Sequence, residues 1–206
     1  MSFDDPRDTW NRRFARPGYL FGKAPNAWLA RHAALFAPGG SALCVADGEG
    51  RNSVWLARRG LQVQAFDIAD LAVEKARELA GEAGVSVDFQ VASCEQWTWR
   101  ADSFDFVIAI FIQFADPQER ARLFANMIAA LRPGGMLLVQ GYGPKQIEYA
   151  TGGPGRLSHL YTPELLRELC AGMEILELEQ YEDVLDEGSQ HAGRSDLIGL
   201  VARRPR

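Results

Sequence analysis

Between residues 41 and 140 the sequence runs four times through one pattern: a short apolar stretch, a turn, then residues at helical spacing. The apolar stretches are 41–46, 61–66, 85–91, 104–111 and 136–140. The helical ones are 51–59, 68–80, a short connection at 94–99, and a longer one starting at Pro117. Parallel neighbours in a sheet need a crossover between them, so this alternation predicts an α/β chain with a parallel sheet and helices on both faces. The stretch at 104–111 is the most apolar and is expected at the centre, buried on both sides. Leu123, Met127 and Leu131 recur at i, i+4 and i+8 and mark the buried stripe of the helix before the fifth strand. Asn26 is placed to cap a helix over 26–36. Arg132-Pro133-Gly134-Gly135 reads as a stop and turn.

After Gly141 the rhythm breaks. Residues 141–155 carry five glycines and two prolines and read as a long loop, and such loops in compact domains serve function or are disordered. Thr162-Pro163 opens another helix, with Thr162 as its cap. Two last strands, 175–181 and 195–202, have no crossover between them, which predicts an antiparallel hairpin. No repeat or linker divides the chain, so 1–206 is read as a single domain. Residues 1–25 form an ordered arm rather than a regular element.

Charge narrows the partners. Acidic residues outnumber basic ones 27 to 22, for a net charge of -5, and a polyanion such as nucleic acid is not the expected partner. The longest apolar run, 106–112, is too short to cross a bilayer, and residues 1–20 lack the apolar core of a secretory signal. Three cysteines and three histidines, all far apart, predict reduced thiols, a cytoplasmic location and no metal cluster.

In an open parallel sheet, ligands bind beyond the C-terminal ends of the strands. The first strand ends in Ala46-Asp47-Gly48-Glu49-Gly50-Arg51-Asn52, where the glycines permit a tight turn and a ligand close to backbone. Asp67 closes the second strand, 17 residues after Gly50. A carboxylate there can accept both hydroxyls of a ribose, or can merely cap the next helix. The full Gly-x-Gly-x-x-Gly fingerprint and a Gly-Lys-Ser/Thr phosphate loop are both absent.

With these pieces the chain resembles the S-adenosylmethionine-dependent methyltransferases of the seven-stranded Rossmann-like fold, nearest the small bacterial tellurite-resistance and thiopurine-type relatives. The resemblance runs from about Trp10 to Pro205. It is carried by LCVADGEGRNSVWLARRG at 43–60 and VQAFDIA at 63–69, with support from DSFDFVIAIF at 102–111 and LRPGGMLLVQGY at 131–142. It implies a mostly parallel seven-stranded sheet with the 195–202 strand antiparallel between neighbours. It further implies that Ala46, Asp47, Gly48, Gly50, Arg51 and Asn52 meet the methionine part of the cofactor. Asp67 would take the ribose, Ile68, Ser93 and Cys94 the adenine, and Ile110 the underside of the methionine. Trp10, Arg13, Tyr19 and Gly22 match an arm folded over the cofactor, while 142–159 would be a mobile lid over the acceptor. Two departures stand out: Cys44 and Ala46 occupy positions where such enzymes carry an acid and a glycine.

Methyl transfer to a good nucleophile needs orientation and exclusion of water more than a covalent residue. His191, between the last two strands, and His159, near the end of the glycine-rich stretch, are candidates to orient or deprotonate an acceptor, and Arg156 to meet an anionic one. A turn histidine bonded to backbone is the plain alternative for His191. The expected acceptor is a small molecule: a thiol, a chalcogen oxyanion, or a small aromatic or amine. The departures at Cys44 and Ala46 motivate a second reading, a non-catalytic nucleoside-binding regulator or partner subunit. A third, an NAD-dependent oxidoreductase, lacks its glycine fingerprint and a Tyr-x-x-x-Lys pair.

Overall fold

The computed structural model describes residues 5–206, so the first four residues of the expected arm lie outside the described residues. Its elements in chain order are α1 (Pro6–Phe14), α2 (Ala27–Arg31), β1 (Ser41–Val45), α3 (Arg51–Arg58), β2 (Gln62–Asp67), α4 (Asp70–Ala83) and β3 (Asp88–Val91). There follow β4 (Phe104–Ile110), α5 (Pro117–Ala130), β5 (Leu131–Tyr142), α6 (Gln146–Tyr149), α7 (Pro163–Leu169), β6 (Glu174–Asp186) and β7 (Ala192–Arg203). The seven strands run in the order β3-β2-β1-β4-β5-β7-β6. By packing the chain divides into two compact units, Met1–Thr98 and Trp99–Arg206.

In the first unit β1 pairs parallel with β2, and β2 parallel with β3. In the second, β4 and β5 are parallel, and β7 runs antiparallel to both β5 and β6. The expected α/β sheet with its terminal hairpin is therefore present, with β7 between its antiparallel neighbours. Val107, Ile108 and Ala109 in β4 are fully buried, as an apolar central strand must be. No helix among the described residues is long and apolar enough to cross a membrane.

Capping places the helices where their sequence signals predict. Asn26 accepts the Leu29 N–H at 2.8 Å, and Thr162 accepts that of Leu165 at 3.2 Å. Asp116 and Glu119 form a reciprocal capping box ahead of Pro117. Five expectations are corrected. The arm contains a regular helix, α1, because Asp5 caps it and Pro6 sits in its first turn. The helix capped by Asn26 ends at Arg31 and gives way to a 3₁₀ turn, Ala33–Leu35, short of residue 36. Gly81 does not stop α4, which runs on to Ala83 and closes on Gly84 in the left-handed conformation. Residues 132–135 do not end the chain's pairing: β5 already starts at Leu131, and the register jumps between Phe104 and Phe106, leaving those four residues as a bulge. Residues 94–99 make turns only, tied by Gln96 and Trp97 N–H groups to the Ser93 carbonyl.

The start of α3 depends on one glycine. Gly50 has φ +86°, and a Cβ there would lie 2.8 Å from the Ala76 Cβ and 2.9 Å from its Cα on α4. Both backbone conformation and helix contact exclude a side chain. Gly50→Ala is expected to lower stability by at least about 2 kcal/mol in chemical denaturation. Gly81→Ala, inside α4 with open space around it, is expected to be neutral or stabilising by up to about 1 kcal/mol. Equal effects of the two would remove the packing argument.

Candidate functional site

Two carboxylates define the ligand-facing end of the first unit. Asp67, the last residue of β2, is 6% exposed; its Oδ2 accepts the Gly48 N–H at 2.9 Å and its Oδ1 the Ala69 N–H at 2.9 Å. It thus both pins the glycine turn and caps the approach to α4. A carboxylate offers about four lone-pair positions, so accepting capacity remains for ligand hydroxyls. Asp47 accepts a hydrogen bond from the Ser53 hydroxyl. Burial pushes the Asp67 carboxyl up to about 6 and the Asp47 carboxyl up to about 7, with Asp67 itself adding to the rise at Asp47. Neither carboxylate has a salt-bridge partner among the described residues. The positive charge of Arg51 offsets part of the rise at Asp47.

The arm lies over this turn. The Phe14 ring sits 3.6 Å from the Cβ position of Gly48, which has φ +61°. Phe14, Leu20, Ala69 and Ala72 form a buried cluster flanked by Trp10, Phe21 and Leu71. Trp10 stacks on Phe14 at 5.6 Å, and the Arg13 guanidinium lies 4.3 Å from the Trp10 ring centre. Burial, and then the neighbouring Arg16, lowers the Arg13 pKa. Glu49, 3% exposed, accepts the Leu20 N–H at 2.6 Å and the Lys75 ammonium at 2.9 Å. Lys75 also donates to the Arg16 and Gly18 carbonyls, and the Tyr19 hydroxyl donates to the Lys75 carbonyl. At the other end of the arm, Arg7 grips Asp70 at 2.8 and 2.7 Å, holding that carboxyl down to about 2.

Other predicted residues are engaged in scaffolding. Asn52 accepts the Asn26 N–H at 2.9 Å, and Arg51 donates to the Phe21 carbonyl at 3.3 Å. Ser93 exchanges two 3.2 Å bonds with Gln96. Gly22 makes a turn with Tyr19. Ile68 and Cys94 are half-buried beyond β2 and β3. Ala46 has φ +48°, a left-handed conformation that a glycine would adopt freely. Cys44 is buried within β1, and burial drives its thiol well above the ordinary range.

In the second unit His191 is gathered into an aromatic cluster. Its Nδ1 is hydrogen-bonded to the Tyr142 hydroxyl, and its ring stacks on Phe111 with centroids 4.2 Å apart. Phe111, the residue after β4, has φ +56°, a strained conformation for an aromatic residue. Half-buried Ile110 precedes it and pairs with Gln140. Gln113 is the residue that sequence reasoning missed: it is 5% exposed, donates to the Tyr142 and His159 carbonyls at 2.9 and 3.1 Å, and accepts the Tyr142 N–H at 2.7 Å. A lone polar side chain straight after an apolar strand was the available signal. His159 is buried in a 3₁₀ turn, its Nδ1 3.1 Å from the Ser158 hydroxyl, and Arg156 is exposed ahead of it.

The stretch expected as a continuous loop is largely built. Tyr142 belongs to β5, and α6 follows within four residues. Asp196 in β7 accepts the Lys145 N–H at 2.9 Å, and its own N–H donates to Gln146 at 3.1 Å. Glu182 ties Lys145 and Arg194 together, and those cations hold its carboxyl down to about 2. Among the described residues no group of three or more His, Cys, Asp or Glu could hold a metal ion.

Residues 42–135 match the family model described as a methyltransferase domain. The ubiquinone biosynthesis O-methyltransferase of Xanthomonas axonopodis pv. citri is 38% identical over 104 residues, which cover 49% of this chain and 42% of that protein. The chain spans about two fifths of the length of the curated relatives it matches. Among solved structures, one from work on conversion of a disulfide bond into a thioacetal group during echinomycin biosynthesis has a TM-score of 0.79 at 19% identity, covering 98% of this chain and 93% of that one. The N-methyltransferase NodS of Bradyrhizobium japonicum, in complex with S-adenosyl-L-homocysteine, gives 0.76 at 15% identity, covering 98% and 100%. TehB of Haemophilus influenzae gives 0.71 at 17% identity, covering 96% and 66%. The fold is the one these proteins share.

Two outcomes follow from the buried acids. The folded chain retains protons on Asp47 and Asp67 that the unfolded chain loses near an ordinary carboxyl value of 3.8. Stability from these protonated carboxyls is present below that value and is lost as pH rises through about 6 and 7. Each tenfold weakening of proton binding on unfolding corresponds to about 1.4 kcal/mol. Asp67→Asn should therefore flatten the fall in melting temperature between about pH 4 and 6, which thermal scans of both proteins would read; an unchanged slope would contradict the burial argument. Cys44→Asp puts a carboxylate into the buried β1, near Asp47, and is expected to destabilise by about 3–5 kcal/mol. A stable variant with tighter ligand binding would reverse that expectation.

Proposed function

We propose that this chain is an S-adenosylmethionine-dependent methyltransferase acting on a small-molecule acceptor. The observation that carries the reading is the buried pair Asp47 and Asp67 around a glycine turn, neither of them in an ion-pair contact among the described residues. A ligand with ribose hydroxyls and positive charge suits that pair. The pyrophosphate of a dinucleotide would meet repulsion there, which disfavours the oxidoreductase reading. Bound S-adenosylmethionine supplies an electrophilic methyl group on a positively charged sulfur.

In this reading Asp67 accepts the ribose hydroxyls, Asp47 faces the positive end of the ligand, and Gly48 lets it approach backbone. Ile68, Ser93 and Cys94 border the adenine. Trp10, Arg13 and Phe14 exclude water from above the turn. His191 orients or deprotonates the acceptor, and the segment 142–159 covers it. The relatives' names span O- and N-methylation, and the tellurite-resistance and thiopurine types named above add chalcogen and thiol acceptors; net charge of -5 argues against nucleic acid. Three free cysteines suit a reducing compartment, and we place the protein in the cytoplasm.

Calorimetry with S-adenosylmethionine, S-adenosylhomocysteine, NAD and ATP tests the cofactor. The first two are expected to bind, the affinity of S-adenosylmethionine rising from about pH 5.5 to 7.5 as the acids ionise, and Asp67→Asn should weaken it at least about tenfold. Release of S-adenosylhomocysteine over a panel of thiols, tellurite, selenite, phenols and amines then tests turnover. Binding without turnover on any of them would favour the non-catalytic reading. Binding of NAD alone would end this one.

A further inference from the structure

Tyr142 is held more completely than a core tyrosine requires. It is 1% exposed, and its backbone N–H and carbonyl are both bonded to Gln113. Its carbonyl also accepts the Tyr161 N–H at 2.9 Å. A Cβ on Gly152 would lie 2.7 Å from the phenol oxygen, and one on Gly153 would lie 3.0 Å from the ring, so two consecutive glycines are required where the chain crosses it. The Phe111 ring lies 4.7 Å from the Tyr142 ring and 4.2 Å from that of His191, at the expense of a left-handed backbone. All this fixes one contact, the phenol oxygen on His191 Nδ1.

Which partner donates in that contact decides which imidazole nitrogen is basic, since a neutral imidazole carries one proton and a phenol can donate or accept. We propose that Tyr142 is the positioning residue of a proton-accepting pair: its oxygen accepts the Nδ1–H of His191, leaving Nε2 unprotonated, and the pair serves a small acceptor with a hydroxyl group. The substrate class rests on the methyltransferase reading above; the tautomer does not. A thiol or chalcogen oxyanion is anionic or nearly so at neutral pH and needs no base, whereas a hydroxyl must lose its proton as it reacts. The hydroxyl proton passes to Nε2, and the electron pair of the broken O–H bond stays on the acceptor oxygen as the nucleophile. The resulting imidazolium keeps its Nδ1–H on Tyr142 and lies against the Phe111 face, which favours the cation. The proton then leaves Nε2 for water, and the phenol hydrogen does not move.

Nitrogen NMR of the full chain labelled with ¹⁵N-histidine tests the pair without any cofactor. There are three histidines, and His191→Gln identifies the signal. The neutral form of His191 should show a protonated-type Nδ1 and an unprotonated-type Nε2, and Tyr142→Phe, which conserves the ring, should move it toward the Nε2–H form. The same variant should lower kcat at least tenfold on a hydroxyl acceptor while KM changes little. A wild-type Nε2–H tautomer, or a spectrum unchanged by Tyr142→Phe, would overturn the pair. Turnover of thiols or tellurite with none of any hydroxyl compound would overturn the substrate class. Failure to bind S-adenosylmethionine would remove the methyltransferase reading and leave the tautomer result standing.

Discussion

The carboxylate of Asp67 bonded to the Gly48 N–H is the contact on which the candidate cofactor site depends. It joins the end of β2 to the turn after β1, and its other oxygen takes the Ala69 N–H ahead of α4. One side chain thus sets the positions of a turn, a strand end and a helix start. The same burial that makes these bonds strong makes the charge expensive, because an unpaired carboxylate in a low dielectric resists ionisation. The Glu49 charge adds to the effect at Asp67, and Asp67 in turn raises the Asp47 carboxyl. Both carboxyls therefore hold their protons to a higher pH than exposed carboxyls do.

The arm over this turn is held by a third buried acid with a different solution. Glu49 shares the turn with Asp47 but is compensated by Lys75 and by the Leu20 N–H. Breaking such a pair leaves a buried charge and costs about 3–5 kcal/mol, whereas the exposed Arg7–Asp70 and Lys23–Glu82 pairs contribute little. The middle of the arm, residues 16–20, is consequently the firmly attached part. The acceptor-side segment is fixed by another device, side-chain amides in place of charge: Gln113 and Gln146 satisfy backbone groups that no strand partner reaches.

Periodicity and punctuation in the sequence determined the strand–helix order, the antiparallel ending, the capped starts of α2 and α7, the proline start of α5, and the strand-end positions of the glycine turn and Asp67. Those are local properties: a period of 3.6 or 2, a cap or a left-handed turn is legible from neighbours in the chain. Long-range partners decided the rest. Asn52 and Arg51 carry the right chemistry for a ligand, and they bond to Asn26 and Phe21, 26 and 30 residues away. Tyr142 reads as part of a loop because glycines follow it, but pairing with Leu197 keeps it in β5 and brings it to His191, 49 residues on. A hydrogen bond's energy depends on burial and on who else can satisfy the group, and neither is written in the spacing of residues. Sequence alone determined which side chains stand at the strand ends; tertiary structure decided which distant groups they bond, because only packing brings those groups together.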